Sequence, residues 1–211
     1  MRHLPEAWLR ATAAVGARGD VAQAGVDLLG RYAEGHRHYH DLAHLDDVLR
    51  HVDELAVHAR DAHAVRLAAW FHDAVYDPTA ADNEERSARL AETALSALRV
   101  EDEVVAEVVR LVRTTARHVP PPGDSDAEVL CDADLAILAS SIERYQRYVE
   151  AVRAEYAHLD DEAFARGRAA VLRGLLARDS LFGTSTGRSQ WEAPARANVT
   201  AELARLDEVT R

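Results

Sequence analysis

The segment LAAWFHDAVYD, which runs from Leu67 to Asp77, is the most informative part of the sequence. Its apolar residues recur at helical spacing, and this predicts a buried helix face. At the end of that face stand His72 and Asp73, where a charged pair is forced against apolar neighbours. An unpaired carboxylate is costly to bury, so such a residue normally meets a cation, a metal or several hydrogen-bond donors. A divalent metal ion would satisfy both side chains together.

The same helical periodicity extends along nearly the whole chain, and strand-like alternation is scarce. Further apolar stripes run over residues 42–55, 104–115, 135–152, 171–176 and 195–206. Breaks fall where Pro and Gly collect, at residues 77–83, 120–124 and 183–187. None of these breaks is long enough for an interdomain linker, and no internal repeat is visible. We therefore predict an all-α protein, a single-domain bundle over residues 1–211 with seven or eight helices or more.

Composition limits the classes of partner and compartment. The chain has 211 residues, 48% of them hydrophobic and 29% charged, as in a globular protein. Its formal net charge of -11 opposes nucleic acid polymers as partners. A cluster of arginines can still reverse the sign locally for a small phosphorylated substrate. With one cysteine, no signal peptide and no run that could span a membrane, we expect a cytoplasmic protein.

Two further segments carry candidate metal ligands. The segment Arg37 to His44 opens a predicted helix on which His40 and His44 lie four residues apart, so either could point into a site. Later, Asp132-Ala-Asp134 begins the next apolar helix directly after Val129-Leu-Cys131, which again places acidic residues beside the core.

The order of one His, an adjacent His-Asp pair and a distant Asp, all on helices, resembles the HD superfamily of metal-dependent phosphohydrolases. The chain is similar to a predicted phosphohydrolase group of that superfamily over residues 31–206, through the strings YHDLAHLDDVL, LAAWFHDAVYD, DNEERSA, DADLAIL, VRAEY, GR and EAPARANVTAEL. The resemblance implies an HD-type helical domain whose metal ligands are His44, His72, Asp73 and one Asp of DAD. By that likeness Asp134 is preferred to Asp132, and His44 to His40, because the first ligand usually begins the long amphipathic helix.

Three residues near the pair are candidates for proton transfer. The loop after Tyr76 should line the mouth of the site, and it contains Asp77 and Glu84, each with a capping or solvated role as the alternative. Asp82 followed by Glu85 has the spacing of a capping box. His118 ends a later helix, where the helix dipole alone would favour a cation. The family's recurring T-x-x-x-H favours His118 as a substrate ligand or acid.

Arginines are the natural clamps for phosphate, because the planar guanidinium offers five donors. We select Arg86, Arg153 and Arg196 as candidates for substrate binding. The alternative for the late residues, which also include Arg168 and Glu155, is an internal ion-pair network between helices, and for Glu155 that alternative is preferred.

These observations predict a phosphohydrolase acting on a small phosphate ester such as a nucleotide. One divalent ion would activate water, which Asp73 would hold. Nitrogen and carboxylate ligands without thiolate suit Mn, Fe, Co, Ni or Zn better than Mg. An HD-fold di-iron oxygenase would need extra histidines between the His-Asp pair and the last Asp, where only His118 lies. A non-catalytic module that senses a nucleotide or joins a partner is the third hypothesis.

Overall fold

Ten α-helices, joined by loops and three short helical turns, make up the computed structural model, which describes residues 3–210. The helices are α1 (Leu4–Ala14), α2 (Val21–Tyr32), α3 (Leu42–Leu55), α4 (Ala62–Phe71), α5 (Asn83–Ala97), α6 (Asp102–Thr114), α7 (Ser125–Leu135), α8 (Ile142–Glu155), α9 (Asp161–Leu176) and α10 (Glu192–Val209). No strand occurs in this part of the chain, so the all-α prediction is confirmed. The single domain over residues 1–211 stays a prediction, and residues 1, 2 and 211 lie outside the described part.

Local sequence sets many of the helix starts. The first free N–H groups of six helices are bound by a capping side chain, as expected for Asp and Ser at this position: Asp20, Asp41, Asp61, Asp124, Ser141 and Asp160. Asp82 also precedes a helix, α5, but its side chain makes no capping hydrogen bond. The predicted capping box is therefore wrong, because Glu85 instead binds Arg89 and Arg113.

The stripe predicted over residues 135–152 is divided between two helices. Helix α7 ends at Leu135, a 3-10 turn follows over Ala136–Ala139, and α8 begins after its cap Ser141. The Ser141 hydroxyl accepts the backbone N–H of Arg144 at 3.4 Å. With this break, the two helices ahead of the first stripe and α5, which no stripe covered, the six predicted stripes become ten helices within residues 3–210.

The core consists of two apolar clusters. The larger one contains buried residues from α1 to α7 around Trp8, Trp70 and Phe71. The centre of the Trp8 ring lies 5.3 Å from that of Trp70 and 6.1 Å from that of Phe71, both edge to face. The smaller one joins the turn after α7 to α8, α9 and α10 through Leu138, Tyr145, Leu172, Phe182 and Val199. A cavity lies where the α4–α5 loop and α7 face α8 and α9. No helix within residues 3–210 combines the length and apolar character needed to cross a bilayer.

Candidate metal centre

Four polar side chains converge on one point beneath this cavity. The Nε2 atoms of His44 on α3 and His72 at the end of α4 are 3.1 Å apart. One oxygen of Asp73 lies 3.3 Å from each of these nitrogens. One oxygen of Asp134 on α7 lies 3.2 Å from His44 and 3.6 Å from His72. Residues from three helical segments, far apart in sequence, therefore share one site.

The chemistry of these four atoms calls for a cation. His72 is buried, and its Nδ1 lies 2.7 Å from the carbonyl oxygen of Ala69, which can only accept a hydrogen bond. When the ring is neutral, its proton is therefore on Nδ1, and Nε2 presents a lone pair to a metal ion. An ion about 2.1 Å from each ligand sets neighbouring ligand atoms ~3.0–3.4 Å apart, close to the distances found here. His44, His72 and Asp134 form a group that could hold a metal ion, with Asp73 as a fourth donor beside it.

The electrostatics of the cluster keep both carboxylates ionised. Burial by itself disfavours the charged ring of His44, but hydrogen bonds with Asp134 and Asp73 outweigh it and raise the pKa to about 9. Burial would likewise raise the pKa of Asp73 and of Asp134. The charge of His72 and hydrogen bonds with the neighbouring histidines hold both pKa values well below the usual range. Two carboxylates that resist protonation suit a divalent ion.

The start of α3 separates His44 from His40. Helix α3 begins at Leu42, later than the predicted start at Arg37, because the Asp41 side chain caps the N–H groups of residues 43 and 44. His40 therefore precedes the helix, and its Nδ1 binds Glu155 at 2.7 Å instead of the cluster. His44 stands in the first turn with its ring buried. Of the two histidines, the fold places only His44 in the cluster.

Glu155 fixes the loop in front of α3. One of its oxygens accepts the backbone N–H groups of His38, Tyr39 and His40 at 2.9, 2.8 and 2.9 Å, and the other accepts the Tyr76 hydroxyl at 2.9 Å. The predicted role of Glu155 in a network between late helices is therefore wrong. Its partners in the loop lie more than a hundred residues earlier in the chain, and Tyr76 lies 79 residues earlier. No local pattern could have revealed this contact.

A second anchor holds the turn that carries Asp73. The buried guanidinium of Arg37 donates to the backbone carbonyls of Asp73 at 2.7 Å and Ala74 at 3.3 Å, which follow the last turn of α4. The hydroxyl of Tyr32 accepts the N–H of Asp73 at 3.3 Å. A cation at the end of a helix satisfies carbonyls that lack intrahelical partners. The His72–Asp73 turn is thus held from α2 and the loop that follows it.

Helix geometry distinguishes the two acids of the DAD string. Residues two apart on a helix point to nearly opposite sides, and Asp134 faces the cluster. Asp132 turns away and accepts hydrogen bonds from the N–H groups of Gly183 and Thr184 and from the Thr184 hydroxyl, at 2.7 to 2.8 Å. Asp132 therefore anchors the 183–187 loop.

His118 binds the outer side of the cluster. Its Nε2 lies 2.6 Å from the second oxygen of Asp134. The backbone of His118 has a positive φ of 47°, unusual for a residue with a side chain, and Arg178 holds its carbonyl oxygen at 2.7 Å. Such a hydrogen bond orients a ligating carboxylate. His118 also lines the cavity.

The cavity above the cluster has a volume of about 600 Å³. Its charged and histidine lining residues are His40, Asp73, Glu84, His118, Asp134 and Arg168, and its apolar lining includes Val152, Leu159, Phe164 and Val171. Tyr76, Tyr148 and Tyr156 also line it. A pocket of this size, in which polar side chains above the cluster stand beside apolar ones, suits a small molecule with one charged end.

Not every predicted site residue lies in this cavity. Asp77 and Arg86 line a separate depression on the other side of the α4–α5 loop, where Asp77 accepts hydrogen bonds from the backbone and hydroxyl of Thr79. Arg153 is bound to Asp161 and to two backbone carbonyls. Arg196 is bound to Glu192 and to three backbone carbonyls. The arginine that does line the cavity is Arg168. Its only signal in the sequence is the Gly167-Arg168 pair, which does not separate a binding residue from a structural one.

Family models, curated proteins and solved structures give no match to this chain. The HD resemblance therefore stays a prediction.

Proposed function

We propose that the protein is a metal-dependent phosphohydrolase acting on a small phosphate ester such as a nucleotide. The observation that carries the proposal is the convergence of two imidazole nitrogens and two carboxylate oxygens, 3.1 to 3.6 Å apart along the measured pairs, beneath an open cavity. One divalent ion bound there would lower the pKa of a water molecule and polarise a phosphoryl oxygen. Mn, Fe, Co, Ni or Zn fits this mixture of nitrogen and carboxylate donors better than Mg.

The residues of the chain supply the remaining steps. Asp73 orients the attacking water with the oxygen that is not directed at the histidines. The water releases one proton to solvent, and its oxygen bonds to phosphorus in line with the ester oxygen, whose bond to phosphorus breaks. His118 and Glu84 both line the cavity, so either can pass a proton to the leaving oxygen. Asp77 is less well placed for this step, because it lines the separate depression.

The number of ions separates this proposal from an oxygenase with two irons. Within residues 3–210, one group of His and carboxylate side chains has the closeness of a metal site. A second ion would need ligands beyond that group. This supports hydrolysis at one ion, and two irons per purified chain would favour the oxygenase instead.

Metal analysis with matched variants tests the site. We expect about one equivalent of a transition metal in the wild-type protein, and loss of most of it in Asp73→Ala, His44→Gln and Asp134→Asn. His40→Gln and Asp132→Asn are the controls, since they alter the neighbouring His and Asp, neither of which supplies one of the four converging atoms. Full metal content in the first three variants would refute the site.

A panel of phosphate esters tests the reaction. The metal-loaded protein should release phosphate from at least one ester, and Asp73→Ala should release none. If the metal-loaded protein hydrolyses none of the panel while a nucleotide raises its melting temperature, the protein is a nucleotide-binding module rather than a hydrolase.

A further inference from the structure

Arg168 of α9 is held in one orientation from two sides. Its Nε and Nη2 atoms donate to the carboxylate of Glu202 on α10 at 2.8 and 3.2 Å. Nη2 also binds the hydroxyl of Tyr148 at 2.8 Å, and the guanidinium lies 5.1 Å from the centre of the Tyr148 ring. The side chain is 12% exposed and that of Glu202 only 4%. An arginine fixed in this way loses little freedom when it binds a ligand.

The third nitrogen of this guanidinium remains available. Nη1 makes no hydrogen bond with any residue of the described part. It is also not enclosed, because the enclosed side-chain atoms without a partner are Nε1 of Trp70 and one oxygen of Asp126. Arg168 lines both the 600 Å³ cavity and a neighbouring recess of about 420 Å³ that shares His118 and Asp134 with it. Arg168 thus borders the space above the cluster and has one nitrogen that is neither hydrogen-bonded nor enclosed.

The cavity is lined by the carboxylates of Asp73, Glu84 and Asp134, so an anion bound there depends on a nearby cation. Arg168 is the one arginine or lysine among the described residues that line the cavity. Glu202 does not line it, so the carboxylate that holds Arg168 lies behind the guanidinium as seen from the cavity. The rings of Tyr148 and Tyr39 lie between this arginine and the cluster. The ring centres of Tyr148 and Tyr39 are 4.5 Å apart, and those of Tyr39 and His44 are 4.8 Å apart.

We propose that Arg168 binds the non-bridging oxygens of the substrate's phosphoryl group, and that Glu202 and Tyr148 are its positioning residues. The inference rests on the proposed function and moves phosphate binding from Arg86, Arg153 and Arg196 to a residue inside the cavity. Guanidinium groups bind phosphate oxygens through charge-assisted hydrogen bonds, and the organic part of the ester would then lie along the apolar wall.

Calorimetric titration with inorganic phosphate tests this assignment on the purified, metal-bearing protein. Loss of one charge-assisted contact should weaken phosphate binding about 10- to 100-fold in Arg168→Gln. Arg173→Gln is the matched control, because Arg173 also lies on α9 and pairs with α10 through Asp207, but does not line the cavity. The control should change the affinity less than about twofold, since a surface pair contributes little.

Further variants test whether weaker binding comes only from damage to the fold around Glu202. Arg168→Gln leaves Glu202 buried without its cation, so Arg168→Gln/Glu202→Gln is measured beside it, and Arg168→Lys provides a folded variant if both glutamine variants unfold. The lysine keeps a charge but loses the fork, and should also weaken binding. Wild-type affinity in a folded Arg168 variant, or no phosphate binding by the wild type, overturns the inference.

The two proposals fail in different ways. Ester hydrolysis with an unchanged KM in the Arg168 variants would leave the hydrolase standing and remove Arg168 from substrate binding. Phosphate binding that depends on Arg168, without hydrolysis of any ester, would keep the anion site and remove the hydrolase.

Discussion

Replacement of Glu155 by glutamine should destabilise the protein at pH 7, and acid should reduce the difference from wild type. The Glu155 side chain is fully buried, and its carboxylate accepts three backbone N–H groups, the Tyr76 hydroxyl and Nδ1 of His40. Glutamine keeps the shape but loses the charge, and its amide group brings donors to a place that is filled with donors. Several of these five contacts are therefore weakened together.

The magnitude follows from the pKa of this carboxyl group. Burial alone would raise it, but the hydrogen bonds and charge of His40 and the backbone N–H groups lower the pKa from 4.5 to about 2. A shift of this size corresponds to about 3 kcal/mol of stability. Because the pKa is lower in the folded protein than in the unfolded chain, that stability is present above about pH 4.5. It is lost as the pH falls through about 2.

Urea unfolding of both proteins between pH 7 and pH 3 measures the effect. Glu155→Gln should be about 2–3 kcal/mol less stable at pH 7, with a difference that shrinks steadily below pH 4.5. Glu150→Gln, an exposed change on the same helix, should stay within about 0.5 kcal/mol of wild type at neutral pH. A difference between Glu155→Gln and wild type that stays constant down to pH 3 would mean that shape, and not charge, explains the effect. The metal content of Glu155→Gln should also fall, since the loop before α3 loses its anchor.

Two further changes test contacts around the site. A Cβ at Gly187 would lie 2.6 Å from an oxygen of Asp132, so Gly187→Ala should cost about 2–3 kcal/mol in urea unfolding. Gly30→Ala in α2, where a Cβ meets nothing within 4 Å, should instead stabilise the protein by about 0.5–1 kcal/mol. Equal urea midpoints for the two variants would contradict the close contact at Gly187. Arg37→Met should cost about 3 kcal/mol, because the carbonyl of Asp73 loses a buried charged donor, and a normal unfolding midpoint with full metal content would contradict that role.

Much of the fold could be predicted from local sequence. Apolar residues at helical spacing predict the buried face of the helices that carry a stripe, and they depend only on the 3.6-residue period. The helix starts were not predicted. Asp41 caps α3, which was expected to open at Arg37, and Ser141 lies inside the stripe expected over residues 135–152. The DAD string was expected to begin a helix, but it lies at the end of α7, which Asp124 caps. His72 and Asp73 were also visible as candidates, because they end an apolar stripe where charge would otherwise be costly.

The choices between neighbouring residues needed the tertiary structure. His40 and His44 are equivalent by spacing, and only the helix start at Leu42 and the distant Glu155 separate them. Asp132 and Asp134 differ in partners that come from other segments, the 183–187 loop for one and α3 and α4 for the other. The sequence shows that both positions of each pair are polar beside the core. It does not show which neighbour lies opposite.

The arginines illustrate the same division. Arg153, Arg168 and Arg196 all lie on late helices and are alike in sequence, but only Arg168 lines the cavity. The reason is physical: periodicity fixes the direction of a side chain about its own helix axis, within a segment of a few turns. What that side chain meets depends on how distant helices pack against each other. Local sequence therefore established the all-helical class and singled out the His72–Asp73 pair as a candidate, while the packing of α3, α7, α8 and α9 brought the other residues around it.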